Sequence, residues 1–161
     1  DDRADVGIAV EMEVSNGLDA WRFASDPLIV VLPAGHALAN AKHLKFLDVV
    51  ESGLVSVQTG GALDQLLRGQ AAVAKVTFKP KLSVESFDAA CRMVEAGLGV
   101  AIVPTSAATA FAGTERFVRR ELREAWAARD LFLYALQKKP RAAAVDALIR
   151  VLRAQGQDSV G

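Results

Sequence analysis

The segment of residues 83–104, SVESFDAACRMVEAGLGVAIVP, restricts the possible folds of this chain more than any other segment. Ser86 is a suitable helix cap, because its hydroxyl can accept a hydrogen bond from an unpaired backbone N–H group of the first turn. The apolar residues that follow recur at steps of four, three and four, which predicts one buried helix face formed by Phe87, Cys91, Val94 and Leu98. We therefore expect a helix that begins directly after Ser86.

This helix is predicted to end at Gly97 and Gly99, because glycine adopts the left-handed conformation that commonly terminates a helix. The next residues, 100–103, are continuously apolar, as in a strand that is covered on both faces, and Pro104 ends the run. A strand, a helix and a second strand in this order form a right-handed parallel crossover. The rest of the chain is expected to extend this unit.

Similar patterns occur on both sides of this segment. Largely apolar runs predict buried strands at residues 5–10 and 28–32, and further strands at residues 54–57 and 131–136. Helical spacing predicts further helices, whose buried faces are Leu44, Leu47 and Val50; Leu63, Leu66, Leu67 and Ala71; and Val145, Leu148, Ile149 and Leu152. A polar tail is expected from Gly156 onwards. Between residues 57 and 103 strands and helices alternate, which predicts an α/β fold with a doubly wound parallel sheet.

The composition argues against several classes of protein. Nineteen basic residues balance nineteen acidic ones, whereas a domain that binds nucleic acid by itself normally carries a basic excess. No apolar run approaches the roughly 20 residues of a membrane-spanning helix, and the sequence does not start with a secretory signal pattern. Cys91 is the only cysteine, so an internal disulfide is impossible and a cytoplasmic location is favoured. We expect Cys91 to be a small core residue.

The sequence contains no recognisable catalytic set. His36 and His43 lack the partners at helical spacing and the nearby cysteines that a zinc site needs. The GxSxG, HExxH and Walker patterns are absent as well. We therefore predict no catalytic residue, no metal site and no cofactor.

The four residues after the predicted strand 54–57 are the best candidates for ligand binding. Gln58, Thr59, Gly60 and Gly61 join the end of a parallel strand to the start of a helix, where free N–H groups and the helix dipole favour an anion. An ordinary helix start filled by solvent is the equally weighted alternative. The turn formed by Val84, Glu85 and Ser86 is expected at the same edge of the sheet, where open α/β sheets bind small ligands. Glu85 either faces the ligand or is simply exposed, and exposure is favoured.

Three segments together resemble the effector-binding domain of the bacterial LysR-type transcriptional regulators: DVGIAV at 5–10, SDPLIVVLPAGHALA at 25–39 and VESFDAACRMVEAGLGVAIVP at 84–104. The resemblance covers nearly the whole chain. It implies a type 2 periplasmic-binding-protein fold, in which two Rossmann-like α/β lobes are joined by two crossover strands and a small effector binds in the cleft. Lobe I, which is expected to be incomplete, would comprise residues 1–32 and 118–161, and lobe II residues 33–117.

The resemblance also implies which residues line the cleft and what lies outside this sequence. The cleft positions are Ala9, Val10, Glu11, Gln58, Thr59, Gly60, Gly61, Val84, Glu85, Ser86, Val103 and Pro104. A DNA-binding winged helix-turn-helix, a linker helix and the first strand, helix and strand of lobe I would precede Asp1. The partners implied are a small-molecule effector, a second copy of the chain, and DNA only through the preceding domain.

Three functions are compatible with this fold. The first is the effector-binding domain of a LysR-type regulator, with an aromatic or aliphatic carboxylate as the hypothetical effector. The alternative is a periplasmic solute-binding protein of a transporter, which would require a signal peptide. An enzyme is the third, but Glu85 with Glu11 is a poor catalytic set.

Overall fold

The computed structural model describes residues 4–10, 17–111, 113, 116–137 and 141–158. The chain divides into two compact units: a smaller unit formed by Asp1–Pro27 and Ala128–Gly161, and a larger unit formed by Leu28–Ala127. Residues 28–32, which the boundaries proposed from the sequence assign to lobe I, lie in the larger unit of this division.

The described residues form strands and helices, which alternate along the chain from residue 43 onwards. The strands are β1 Val6–Val10, β2 Leu18–Ser25, β3 Leu28–Pro33, β4 His43–Leu44, β5 Leu54–Val57, β6 Leu82–Val84, β7 Val100–Pro104, β8 Phe117–Leu122 and β9 Asp130–Leu136. The α-helices are α1 Phe46–Val50, α2 Ala62–Val73, α3 Phe87–Glu95, α4 Thr105–Thr109 and α5 Ala143–Asp158.

The larger unit is built on a six-stranded sheet with the order β4-β8-β3-β7-β5-β6. Strand β5 lies between β6 and β7 and is parallel to both, with α2 and α3 as the crossovers, so the doubly wound prediction is confirmed for these three strands. Strand β3 runs antiparallel to β7 and β8, which makes the complete sheet mixed.

Helices cover both faces of this sheet. Successive side chains of a strand point to opposite sides, so one strand packs against helices on both faces. Val30 packs in the cluster that contains Leu67 of α2. Its neighbour Val31 packs on the other face, in the cluster that contains Cys91 and Val94 of α3. Strands that are buried on both faces explain the continuous apolar runs in the sequence.

Cys91 lies completely buried in α3, as predicted for a small core residue. Burial, followed by the nearby carboxylates of Asp88 and Glu95, raises the pKa of the Cys91 thiol to about 11. The thiol is therefore protonated at neutral pH and has little nucleophilic character.

Helix α3 is capped at its start as predicted but is shorter than the apolar spacing suggested. The Ser86 hydroxyl accepts a hydrogen bond from the Ala89 N–H group at 3.1 Å. At the other end Gly97 has φ +75°, and the Leu98 N–H group bonds to the Met93 carbonyl at 3.0 Å, which closes a Schellman motif. Leu98 therefore lies beyond the helix and is 42% exposed, so its assignment to the buried face was wrong.

Gly99 has a different role from the one predicted. Its φ lies outside the left-handed region, and a Cβ at this position would lie 2.3 Å from the carbonyl oxygen of Gly53. Glycine is therefore required because two backbone segments approach each other closely.

The prediction for the first helix was wrong at its start and at Leu47, although Leu44 and Val50 do pack in the core. Leu44 belongs to strand β4, and the helix starts only after Lys45. This start turns Phe46 and Val49 into the core, while Leu47 is 42% exposed. The apolar spacing alone does not show which residue begins the helix, and a shift of one residue rotates the buried face by about 100°.

The smaller unit contains a three-stranded antiparallel sheet, β1-β9-β2, with α5 packed on it. Ile149 is buried and Val145 and Leu152 are partly buried, as predicted for the inner face of α5. Leu148, assigned to the same face, is instead 48% exposed.

Two further predictions for the smaller unit need correction. Gly156 lies inside α5 rather than at the start of a polar tail, and a Cβ there would lie 2.5 Å from the Phe23 carbonyl oxygen. Strand β1 is only partly buried, with Ile8 46% exposed. Among the described strands it is an edge strand of its sheet, since it pairs with β9 alone.

Candidate functional site

The turns that follow β5 and β6 lie side by side at one edge of the larger sheet. The Gln58 N–H group, directly after β5, donates to the carbonyl oxygen of Val84, the last residue of β6, at 2.8 Å. The predicted common edge is therefore confirmed. It is formed by the carboxyl ends of parallel strands, which is where α/β sheets usually bind small ligands.

The first turn has an unusual backbone that presents its side chains to solvent. Gln58 has φ 50° and Gly60 has φ +81°, and the Gly61 N–H group donates to the Gln58 carbonyl at 2.6 Å. The side chains of Gln58 and Thr59 are exposed, and Gly60 is exposed as well. Polar side chains at this edge can therefore reach a ligand.

A buried carboxylate that sequence analysis missed lies directly beneath this turn. Asp64, in the first turn of α2, is 1% exposed. One of its oxygens accepts a hydrogen bond from the Ser56 hydroxyl at 2.9 Å, and the other accepts from the Gly60 N–H group at 2.9 Å and from Arg68 Nε at 2.8 Å. The sequence signal for this cluster is an aspartate near the helix start, followed by an arginine four residues later.

Asp64 is ionised at neutral pH despite its burial. Burial alone would raise its pKa, but the hydrogen bonds from Arg68, Gly60 and Ser56 outweigh this effect and hold the pKa below its usual value. The stabilisation from this carboxylate is therefore present at neutral pH and is lost as the pH falls through the lowered pKa.

The internal bonds correct the expectation that the N–H groups of this turn are free. The N–H group of Gly60 is bonded to Asp64, and that of Gly61 to Gln58. The N–H groups of Ala62, Leu63 and Asp64 precede the first intrahelical bond of α2, from Gln65 to Gly61, and no acceptor for them is found among the residues that the structure describes. These three are the donors that the start of α2 can offer.

The second turn contributes mainly to the start of α3. The Ser86 hydroxyl is engaged by the helix as its cap, and Glu85 is exposed, as favoured from the sequence. Val84 is partly buried and packs on the core. The Glu85 side chain is therefore exposed to solvent, whereas the Ser86 hydroxyl already accepts a hydrogen bond from Ala89.

The structure does not bring the side chains of Val103 and Pro104 to this surface. Both residues are buried at the end of β7, where they pair with Ile29 and Leu28 of β3. Val103 is completely buried in the core cluster that contains α3. The Val103 side chain is therefore not exposed in this conformation.

The remaining predicted positions belong to the smaller unit. Ala9 and Val10 form the end of β1 and are partly buried. The Val10 carbonyl oxygen accepts a hydrogen bond from the Tyr134 hydroxyl at 3.4 Å. Glu11 lies outside the described residues.

The described ranges contain no group of three or more His, Cys, Asp or Glu residues that could hold a metal ion. Within the same ranges no helix is both long and apolar enough to cross a membrane.

Comparison with solved structures identifies the architecture as a type 2 periplasmic-binding-protein-like α/β fold. The regulatory domain of Synechocystis PCC6803 CcmR, solved in complex with 2-PG, matches with a TM-score of 0.84 at 15% identity, over 97% of this chain and 75% of that chain. The effector-binding domain of QuiR, solved in complex with shikimate, matches with a TM-score of 0.76 at 19% identity, over 96% of this chain and 72% of that chain.

The sequence comparisons define the family. The profile of the LysR substrate binding domain matches residues 1–157, and the chain belongs to this family. The transcriptional activator protein LysR of Escherichia coli K12 is 31% identical over 120 residues, which are 73% of this chain and 38% of that protein. A probable RuBisCO transcriptional regulator of Synechocystis is 27% identical over 109 residues, or 66% of this chain and 32% of that protein. The chain thus spans about a third of the length of these relatives.

Proposed function

We propose that this chain is the effector-binding domain of a LysR-type transcriptional regulator, and that a small anionic metabolite binds at the edge formed by the turns 58–61 and 84–86. The observation that carries the location is the bond between Gln58 and Val84, which joins the two turns at the carboxyl ends of parallel strands. The N–H groups at the start of α2 favour a carboxylate or a similar anion. The contributions of Ala9, Val10, Glu11, Val103 and Pro104 remain predictions.

The effector would act by binding one conformation of the regulator more tightly than another, because only such a difference in affinity can shift an equilibrium. In this proposal the protein is a cytoplasmic homo-oligomer without enzymatic activity or cofactor. DNA is contacted by a domain that precedes Asp1 in the full-length protein.

Thr59→Val tests the location of the site. This substitution removes an exposed hydroxyl but keeps the branched shape, so we expect affinity for a bound carboxylate to fall about tenfold with little loss of stability. Isothermal titration calorimetry with shikimate and benzoate, with glucose and putrescine as uncharged and cationic comparisons, measures the effect.

Thr77→Val is the matched control, because Thr77 is also an exposed threonine of the larger unit but precedes β6 instead of following a parallel strand. It should bind the carboxylates as the unmodified domain does. Binding of glucose or putrescine alone would contradict the anionic effector, and equal affinity of Thr59→Val and the unmodified domain would contradict the location.

The coding sequence upstream of Asp1 tests the regulator assignment. We expect it to encode a winged helix-turn-helix, a linker helix and the start of the smaller unit, since the curated relatives are about three times as long as their matched region. A signal peptide in that position would contradict the assignment and favour a periplasmic solute-binding protein.

A further inference from the structure

Two helices at the proposed binding edge carry an aspartate in their first turn and an arginine four residues later, but only one of these pairs is tied to the backbone of the turn. Asp64 of α2 is 1% exposed and accepts the Gly60 N–H group. Asp88 of α3 is 65% exposed, and its contact with Arg92 is 3.4 Å long. The exposed pair is an ordinary surface ion pair of small energetic value. An aspartate and an arginine at this spacing therefore do not need to be buried, and the burial of Asp64 requires a separate explanation.

We propose that Asp64 is a positioning residue for the effector, in that its carboxylate holds the turn 58–61 in the backbone conformation that leaves the first N–H groups of α2 available to an anionic ligand. This inference rests on the proposed function for its ligand. The hydrogen bonds of Asp64 to Ser56, Gly60 and Arg68 are present in the structure whichever ligand binds. Among the described residues, the side chain that accepts the Gly60 N–H group is that of Asp64.

The geometry connects three elements through one side chain. Ser56, which is itself buried in β5, donates to Asp64 from below, and Gly60 donates to it from the turn. Arg68, one turn further along α2, completes the set and lies over the Phe78 ring at 4.9 Å from its centroid. Strand, turn and helix are therefore fixed relative to one another by hydrogen bonds to a charged acceptor, which are stronger than neutral ones.

The backbone conformation of this turn is energetically unfavourable, so contacts are needed to stabilise it. Gln58 occupies φ 50°, which is unfavourable for a residue with a side chain, and Gly60 follows at φ +81°. A second bond, from Gln65 Nε2 to the Gly60 carbonyl at 2.7 Å, holds the other side of the same residue. Binding is tighter when a loop is already ordered in its bound conformation, because less conformational freedom is lost.

The experiment compares Asp64→Asn with the matched control Asp88→Asn in the complete domain. The first readout is the NMR hydrogen-exchange rate of the Gly60 amide, with the Val55 amide of β5 as the internal reference. We expect Asp64→Asn to accelerate exchange at Gly60 about tenfold relative to Val55, because the amide loses its charged acceptor. Asp88→Asn should leave this ratio unchanged. General destabilisation would accelerate both amides together and would overturn the positioning role.

The second readout is affinity for shikimate and benzoate. We expect Asp64→Asn to bind the better of these carboxylates about tenfold more weakly than the unmodified domain, and Asp88→Asn to bind it equally well. Equal affinity of Asp64→Asn, or tighter binding through removal of a like charge, would overturn the proposal. If neither carboxylate binds the unmodified domain, the proposed effector class fails, while the exchange ratio at Gly60 still decides whether Asp64 holds the turn.

Ser56→Ala provides a second variant in case Asp64→Asn does not fold. It keeps the carboxylate and its pairing with Arg68 but removes one anchor, so exchange at Gly60 should increase by a smaller factor, about threefold. An unchanged Gly60 rate in this variant would count against the proposal.

Discussion

Gly99→Ala is expected to destabilise the larger unit by about 3 kcal/mol, near the upper end of the usual range for overpacking. The added Cβ would lie 2.3 Å from the Gly53 carbonyl oxygen and 3.0 Å from Val55 Cγ2. The Gly53 carbonyl cannot retreat freely, because it accepts the Val100 N–H group at 3.2 Å at the start of β7. Relief of the clash would therefore disturb the pairing of β5 with β7 where both strands begin.

Urea unfolding followed by Trp126 fluorescence measures this effect. The chain has two tryptophans, and Trp126 belongs to the larger unit, so Trp21→Phe supplies a background in which the larger unit alone is observed. Gly69→Ala is the control, because Gly69 lies within α2 and, apart from its chain neighbours and the nearby backbone of the helix itself, no atom lies within 4 Å of the added Cβ. It should stabilise the unit by about 0.5–1 kcal/mol. A loss below about 1 kcal/mol for Gly99→Ala would contradict the close approach.

Ile149→Ala is expected to destabilise the smaller unit by about 3 kcal/mol, within the range for truncation of a buried isoleucine. Ile149 is 5% exposed and packs with Leu133 and Ala135 of β9, in a cluster that Trp21 also contacts. The substitution leaves a cavity between α5 and the sheet that the surrounding residues can fill only in part.

Leu148→Ala is the matched control, because Leu148 precedes Ile149 in α5 but is 48% exposed. Its truncation should cost under about 1 kcal/mol. Unfolding is followed by Trp21 fluorescence in a Trp126→Phe background, so that the signal comes from the smaller unit. Equal losses for the two variants would mean that the inner face of α5 differs from the one described.

The sequence allowed prediction of the central architecture because its signals are local and strong. The apolar run 100–103, the cap at Ser86 and the helical spacing of Leu63, Leu67 and Ala71 each correspond to a described element with the expected burial. Such elements predict two strand–helix–strand crossovers, and the right-handedness of parallel connections leaves few possible topologies for them. The common edge of the turns after β5 and β6 follows from the same topology.

Other features could not be predicted because they depend on contacts between distant segments. Leu47, Leu98 and Leu148 have the correct apolar character for a buried helix face, but the helix boundaries and the packed neighbour decide which residue turns inward. The burial of Asp64 depends on Ser56, which faces it only because of how β5 lies against α2. An aspartate near a helix start is usually exposed, so the sequence pattern alone favours a surface residue.

Because Cys91 is buried, the rate at which its thiol is modified reports local opening of the larger unit. A thiol reagent needs both access and the thiolate, and this thiol is completely enclosed with its pKa raised to about 11. Modification of Cys91 therefore proceeds only through states in which α3 separates from the sheet, and its rate measures the population of those states. A compound that binds the closed state alone slows the modification by the factor 1 + [L]/Kd. The single cysteine thus allows candidate ligands to be ranked by the protection of one sulfur atom.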